Sequence, residues 1–144
     1  MFSKACEYGI RAAVYIAHQS MEGRRVSLKE IAEKIDSPVA FTAKILQQLS
    51  KNNIVDSVKG AGGGFEMDKT TMDNIKLADV VLAMDGDSIF VGCSLGLKQC
   101  SADKPCPVHY KFVDIRNNLK RMLESTSLFE MTTGLEAGLT HLRR

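Results

Sequence analysis

Residues 26–66 read VSLKEIAEKIDSPVAFTAKILQQLSKNNIVDSVKGAGGGFE, and this stretch decides the fold. Ser27 and Glu30 form a capping box, with Val26 and Ile31 placed as a hydrophobic staple, so a helix starts here. Leu28, Ile31 and Ile35 share one face of it. Asp36 and Ser37 break it, and Pro38 suits the first position of a second helix, where a missing N–H costs nothing. That helix turns Phe41, Ile45, Leu46 and Leu49 inward. Two short helices joined by a tight turn predict a helix-turn-helix. IVDSVK then has strand character, GAGGG is a turn and FEMD resumes an extended pattern. A hairpin directly after a helix-turn-helix is the winged form.

Upstream, a helix is expected from about Ser3 to Ser20, with Cys6, Ile10, Ala13 and Ala17 as one buried stripe. Cys6 therefore reads as a small core residue rather than a ligand. The segment MEGRR is a polar turn. Downstream, NIKLADVVLAMDG predicts a helix ended by Gly86, and 87–107 reads as irregular, rich in Gly, Ser, Cys and Pro. A long helix follows from about Val108 to Ser125. Its Val108, Phe112, Ile115, Leu119 and Met122 alternate four-three-four-three, a short heptad seam suited to pairing with a second copy. Ser127 and Glu130 offer a capping box for a last short helix, and the tail ending HLRR is expected to fray. The expected class is mainly α with a small β-hairpin wing: a winged helix-turn-helix plus a long C-terminal dimerisation helix. The expected divisions are 1–86 for the DNA-binding domain, 87–107 for a cysteine loop, and 108–144 for the dimerisation helix and tail.

The 144 residues are 44% hydrophobic and 25% charged, ordinary globular material. No apolar run approaches the ~20 residues needed to span a bilayer. Glu7 and Arg11 interrupt the N-terminal segment, which argues against a signal peptide and for a cytoplasmic protein without a membrane partner. A net charge of +2 permits nucleic-acid binding without arguing for it, because local placement matters more than the total.

In a helix-turn-helix the second helix enters the major groove. Its outward residues are expected to be Ala40, Thr42, Ala43, Lys44, Gln47 and Gln48. Lys44 can bond a guanine edge or a phosphate, Gln48 can pair with adenine, and Ala and Thr can touch a thymine methyl. Lys51 would meet the backbone. The alternative is a solvated helix face; the adjoining wing favours double-stranded DNA. At the wing tip Lys59 precedes Gly60, whose lack of a side chain allows close approach to phosphate. The glycines do not make a P-loop, since no Lys-Ser/Thr follows, and Phe65 stands where a dinucleotide fingerprint needs Gly.

Cys93, Cys100 and Cys106 are spaced C-x6-C-x5-C, with His109 three residues further on. In a reducing compartment such clustering points to a metal or redox centre rather than to disulfides. Thiolates with a histidine suit an iron–sulfur cluster; zinc is the alternative, although its sites more often pair cysteines at C-x2–4-C. His109 is one candidate fourth ligand. Glu7 is its rival, unless it merely pairs with Arg11 one turn on. Cys106 and His109 lack an oriented third group or oxyanion motif, so the chain does not read as an enzyme.

These residues resemble the IscR/NsrR family of bacterial winged-helix iron–sulfur regulators. The likeness covers nearly the whole chain to about residue 130. It rests on EYGIRAAVYIA, VSLKEIAEKI, ILQQLSKNNIV, SVKGAGGGF, the three-cysteine loop and SLFEM. The resemblance implies a homodimer crossed through the 108–125 helix, a palindromic operator, and a cluster ligated by Cys93, Cys100 and Cys106. In IscR-like members the fourth ligand is a His three residues after the last cysteine, matching His109. In NsrR-like members it is an acidic residue just before Tyr-Gly in the partner's first helix, matching Glu7. The first type carries [2Fe-2S] and regulates cluster assembly; the second carries [4Fe-4S] and senses nitric oxide. An oxygen-exposed preparation can lose either. This chain departs from the family pattern in three places: the first cysteine spacing is one residue longer, Lys59 replaces an Arg, and Ala43 replaces an acidic base-reading residue. A metal-free or zinc-bearing thiol switch and a protein-interaction adaptor are the alternative functions.

Overall fold

The computed structural model of the chain describes residues 1–142. The fraying expected for HLRR concerns Arg143 and Arg144 too, which lie outside the described residues. Helix α1 (Lys4–Met21) is capped by Ser3, whose hydroxyl accepts from the Cys6 amide. Cys6, Ala13 and Ala17 are fully buried along it, with Ile10 half-buried. Helix α2 (Leu28–Lys34) starts where expected, with Ser27 Oγ accepting from the Glu30 amide at 3.2 Å, but the capping box is only half formed because the Glu30 carboxylate is taken by Tyr15 and Arg24. In α3 (Val39–Lys51), Pro38 is the capping residue rather than the first helical one. Asp36, at φ 53°, makes the sharp turn between α2 and α3.

Strands β1 (Asp56–Val58) and β2 (Gly64–Glu66) form the antiparallel wing, with Ser57 opposite Phe65. Val26 adds a bridge to Phe65 and ties the wing's base to the chain entering α2. Gly64 is required there: its φ is 141°, and a Cβ would lie 2.4 Å from the Val26 carbonyl oxygen. Helix α4 (Leu77–Asp85) ends at Gly86, which takes a positive φ of 72°.

The 87–107 stretch is not wholly irregular. Ser88–Val91 makes one turn of helix, α5. Four residues are too few to show periodicity; Ile89 and Phe90 hold the turn by packing on a cluster that includes Cys6, Val81 and Leu123. Helix α6 (His109–Ser125) matches its predicted span, but its anchoring residue is Leu123, which is fully buried and lies outside the expected seam. Leu119 and Leu123 face α4, whereas Tyr110, Ile115 and Met122 remain exposed.

Helix α7 (Leu128–Glu136) returns to the main core. Ser127 caps it, accepting from the Glu130 amide, and its hydroxyl donates to Asp73 Oδ1. The Leu77 amide donates to the Thr126 carbonyl and the Leu128 amide to that of Ile75, fixing the α6–α7 junction beside the start of α4. Leu128 is fully buried in the same cluster as Val14, Ile16, Ile31, Leu46 and Leu49. Among the described residues no helix is long and apolar enough to cross a membrane.

Candidate nucleic-acid interface and cysteine centre

The outer ridge of α3 is built by 3.6-residue periodicity. With Ile45, Leu46 and Leu49 buried, Ala40, Lys44, Gln47 and Lys51 stand exposed on the opposite side, with Ala43 half-buried beside them. Thr42 does not belong to this ridge. It is fully buried, and its hydroxyl donates to the Pro38 carbonyl at 2.9 Å, so the expected outward placement is corrected: it falls on the core side. Gln48 lies on the flank, and its Nε2 donates to the Ala83 carbonyl in α4 at 2.6 Å. Bidentate pairing with adenine needs that nitrogen, so the bond must open before Gln48 reads a base in this way.

Lys59 and Gly60 are exposed at the wing tip, and Gly60 takes a φ of 92°. The sequence reading missed Arg25. Its Nε and Nη2 donate to the two Glu66 carboxylate oxygens, each at 3.2 Å, and its Nη1 donates to the Gly62 carbonyl at 3.0 Å. One guanidinium thereby fixes the wing's angle to α2. No local signal marks it, because Gly62 and Glu66 are remote in sequence.

The cysteine centre lies on the loop between α5 and α6. Cys93, Cys100 and Cys106 are free and half-buried. Cys100 Sγ lies 3.4 Å from His109 Nδ1, and His109 is buried at the first turn of α6. The His109 amide donates to the Cys106 carbonyl, joining the last loop cysteine to the helix start. Cys93 lines a cavity of about 500 Å³ between α5 and α6, together with Asp85, Phe112 and Arg116. Among the described residues no three His, Cys, Asp or Glu side chains already converge as a metal site. The donor set still fits an iron–sulfur cluster: three thiols on one loop and an imidazole at the head of α6, with Cys100 and His109 already in contact beside a cavity.

Glu7 stands on α1 and makes no hydrogen bond to the Cys100–His109 pair among the described residues. It pairs with Lys4 at 2.8 Å rather than with Arg11, and the Lys4 hydrogen bond holds its carboxyl below the usual range. Arg11 instead lies 4.2 Å over the Tyr8 ring and donates to the Ile35 carbonyl. Cys6 is fully buried beneath α4 and α6, and that burial, with Asp85 nearby, pushes its thiol up to about 12.

Helix-turn-helix, wing and thiol-bearing loop together define a winged-helix regulator. The chain belongs to the Rrf2 family, described as "Iron-dependent Transcriptional regulator", whose pattern matches residues 2–134. A protein of Aquifex aeolicus is 32% identical over 133 residues, covering 91% of this chain and 90% of its own length. The HTH-type transcriptional regulator IscR of Photorhabdus laumondii is 30% identical, covering 90% of this chain and 77% of its own. CymR, the global cysteine regulator of B. subtilis, has the same fold: a TM-score of 0.77 at 22% identity, over 92% of this chain and 96% of CymR. The protein is thus a transcriptional regulator of this family, and its relatives are regulators rather than enzymes.

Proposed function

We propose that this regulator binds a palindromic operator as a homodimer and gates that binding through an iron–sulfur cluster held by Cys93, Cys100, Cys106 and His109. The observation that carries the reading is the Cys100–His109 contact at 3.4 Å, which brings two donors of different chemistry together at the head of α6. When bound, such a cluster supplies a redox-active cross-link between loop and helix. Ala40, Ala43, Lys44 and Lys51 face the major groove, and Lys59 with Gly60 meets phosphate or the minor groove. The two reading helices of a dimer must stand about one DNA turn apart, roughly 34 Å. The loop joins α5 to α6, and α4, just before it, touches α3 through Gln48 and Ala83. Ordering the loop therefore biases the element on which the reading helix rests.

The test is anaerobic purification with iron, sulfide and zinc analysis and a visible spectrum, repeated for Cys100→Ala and His109→Ala. Iron and sulfide with visible bands in the wild type, lost in Cys100→Ala, is the expected result. His109→Ala should bleach the bands or shift them; an unchanged spectrum in that variant returns the fourth position to Glu7 of the partner subunit. A colourless protein even after reconstitution would sink the cluster reading. The second reading, direct thiol oxidation, draws on three half-buried free cysteines and the absence, among the described residues, of a preassembled metal site.

A further inference from the structure

The loop that carries Cys93 meets one cation twice, at Gly92 and at Cys100. Arg116 follows His109 by seven residues, two helical turns, so both leave α6 on nearly the same face. Its Nη1 donates to the Gly92 carbonyl at 2.6 Å, and Nη1 and Nη2 both lie 3.6 Å from Cys100 Sγ. None of the ion pairs among the described residues uses Arg116. Its fork is directed at the loop, with one carbonyl and one sulfur as acceptors.

We propose that Arg116 is a positioning residue of the cysteine centre: it fastens the 92–100 loop to α6 and donates to the sulfur of Cys100. The second role rests on the cluster reading; the first does not. A planar guanidinium suits both because its donors diverge in one plane, letting it span a carbonyl and a sulfur at once. A lysine at this position has a single charged head and cannot span them in the same way. A donor to a ligand sulfur withdraws charge from the centre, which favours the reduced form and raises its reduction potential. The electron comes from an added reductant such as dithionite.

Two measurements on the full-length protein separate the roles. In metal-free protein, endoproteinase Lys-C cuts after Lys98, which is exposed within the loop. Arg116→Gln should speed that cut roughly tenfold, the effect of losing a charge-assisted hydrogen bond that holds the loop closed. An unchanged rate overturns the tether. In anaerobically reconstituted protein, Arg116→Gln should lower the potential, with Arg116→Lys between it and the wild type. Equal potentials overturn donation to sulfur. If the wild type takes up no cluster, the cluster reading fails, while the Lys-C comparison still decides the tether. If the glutamine variant loses its helical circular dichroism, Arg116→Lys, which keeps the charge but not the fork, must show the faster cut instead.

Discussion

Thr42 and Gln48 both carry groups able to meet a base edge, and the fold commits each of them elsewhere. Thr42 spends its hydroxyl on the Pro38 carbonyl inside the helix, while Gln48 spends its nitrogen on α4. Single side chains also set the pH response. Tyr15 donates to Glu30 Oε1 at 2.6 Å, and Arg24 pairs with the same carboxylate. These bonds, the tyrosine's first, hold the Glu30 carboxyl below its ordinary 4.5. A carboxylate with a depressed folded pKa contributes stability above its unfolded value, and that contribution is lost as pH falls through the folded one. Urea titrations from pH 6 downward should therefore show the wild type losing stability below about 4.5 more steeply than Glu30→Gln. Parallel curves would mean that the triad adds nothing.

At the scale of elements, α3 and α7 differ in how they are held. Helix α3 has its own amphipathic stripe, so its inner face follows from its own residues. Helix α7 depends on a distant partner: Leu128 and Met131 pack on α1 and its neighbours, and the junction before it is pinned to Ile75 and Leu77. Leu128 is fully buried, so Leu128→Ala should cost about 2–5 kcal/mol, read as a lower urea midpoint. A loss well under about 1 kcal/mol would indicate that α7 is dispensable to the core.

For the whole molecule, the unanswered face is that of α6. Ile115 is 61% exposed and Met122 46%, and at seven residues apart they stand on one side of the helix. A dimer through this face would cover it. The wild type should sediment as a dimer at micromolar concentration, whereas Ile115→Glu should sediment as a monomer with unchanged circular dichroism and weakened binding to duplex DNA. A monomeric wild type would overturn the dimer and, with it, the palindromic operator.

The sequence alone determined what is written in neighbouring residues. The Ser27 and Ser127 caps, the stop at Gly86, the winged helix-turn-helix and the thiol spacing all rest on signals within a few positions, and short-range hydrogen bonds hold the two caps and the stop. His109 was legible as a companion of the thiols, since it follows Cys106 by three residues, whereas nothing near Arg116 in the chain marks its partners. Only the tertiary structure decided that Arg116 reaches back to Gly92 and Cys100, that Arg25 braces the wing, that Gln48 rests on Ala83, and that α7 closes the core. Each of these joins residues far apart in the chain. Such pairings depend on how packed helices bring their faces together, and no local pattern encodes that.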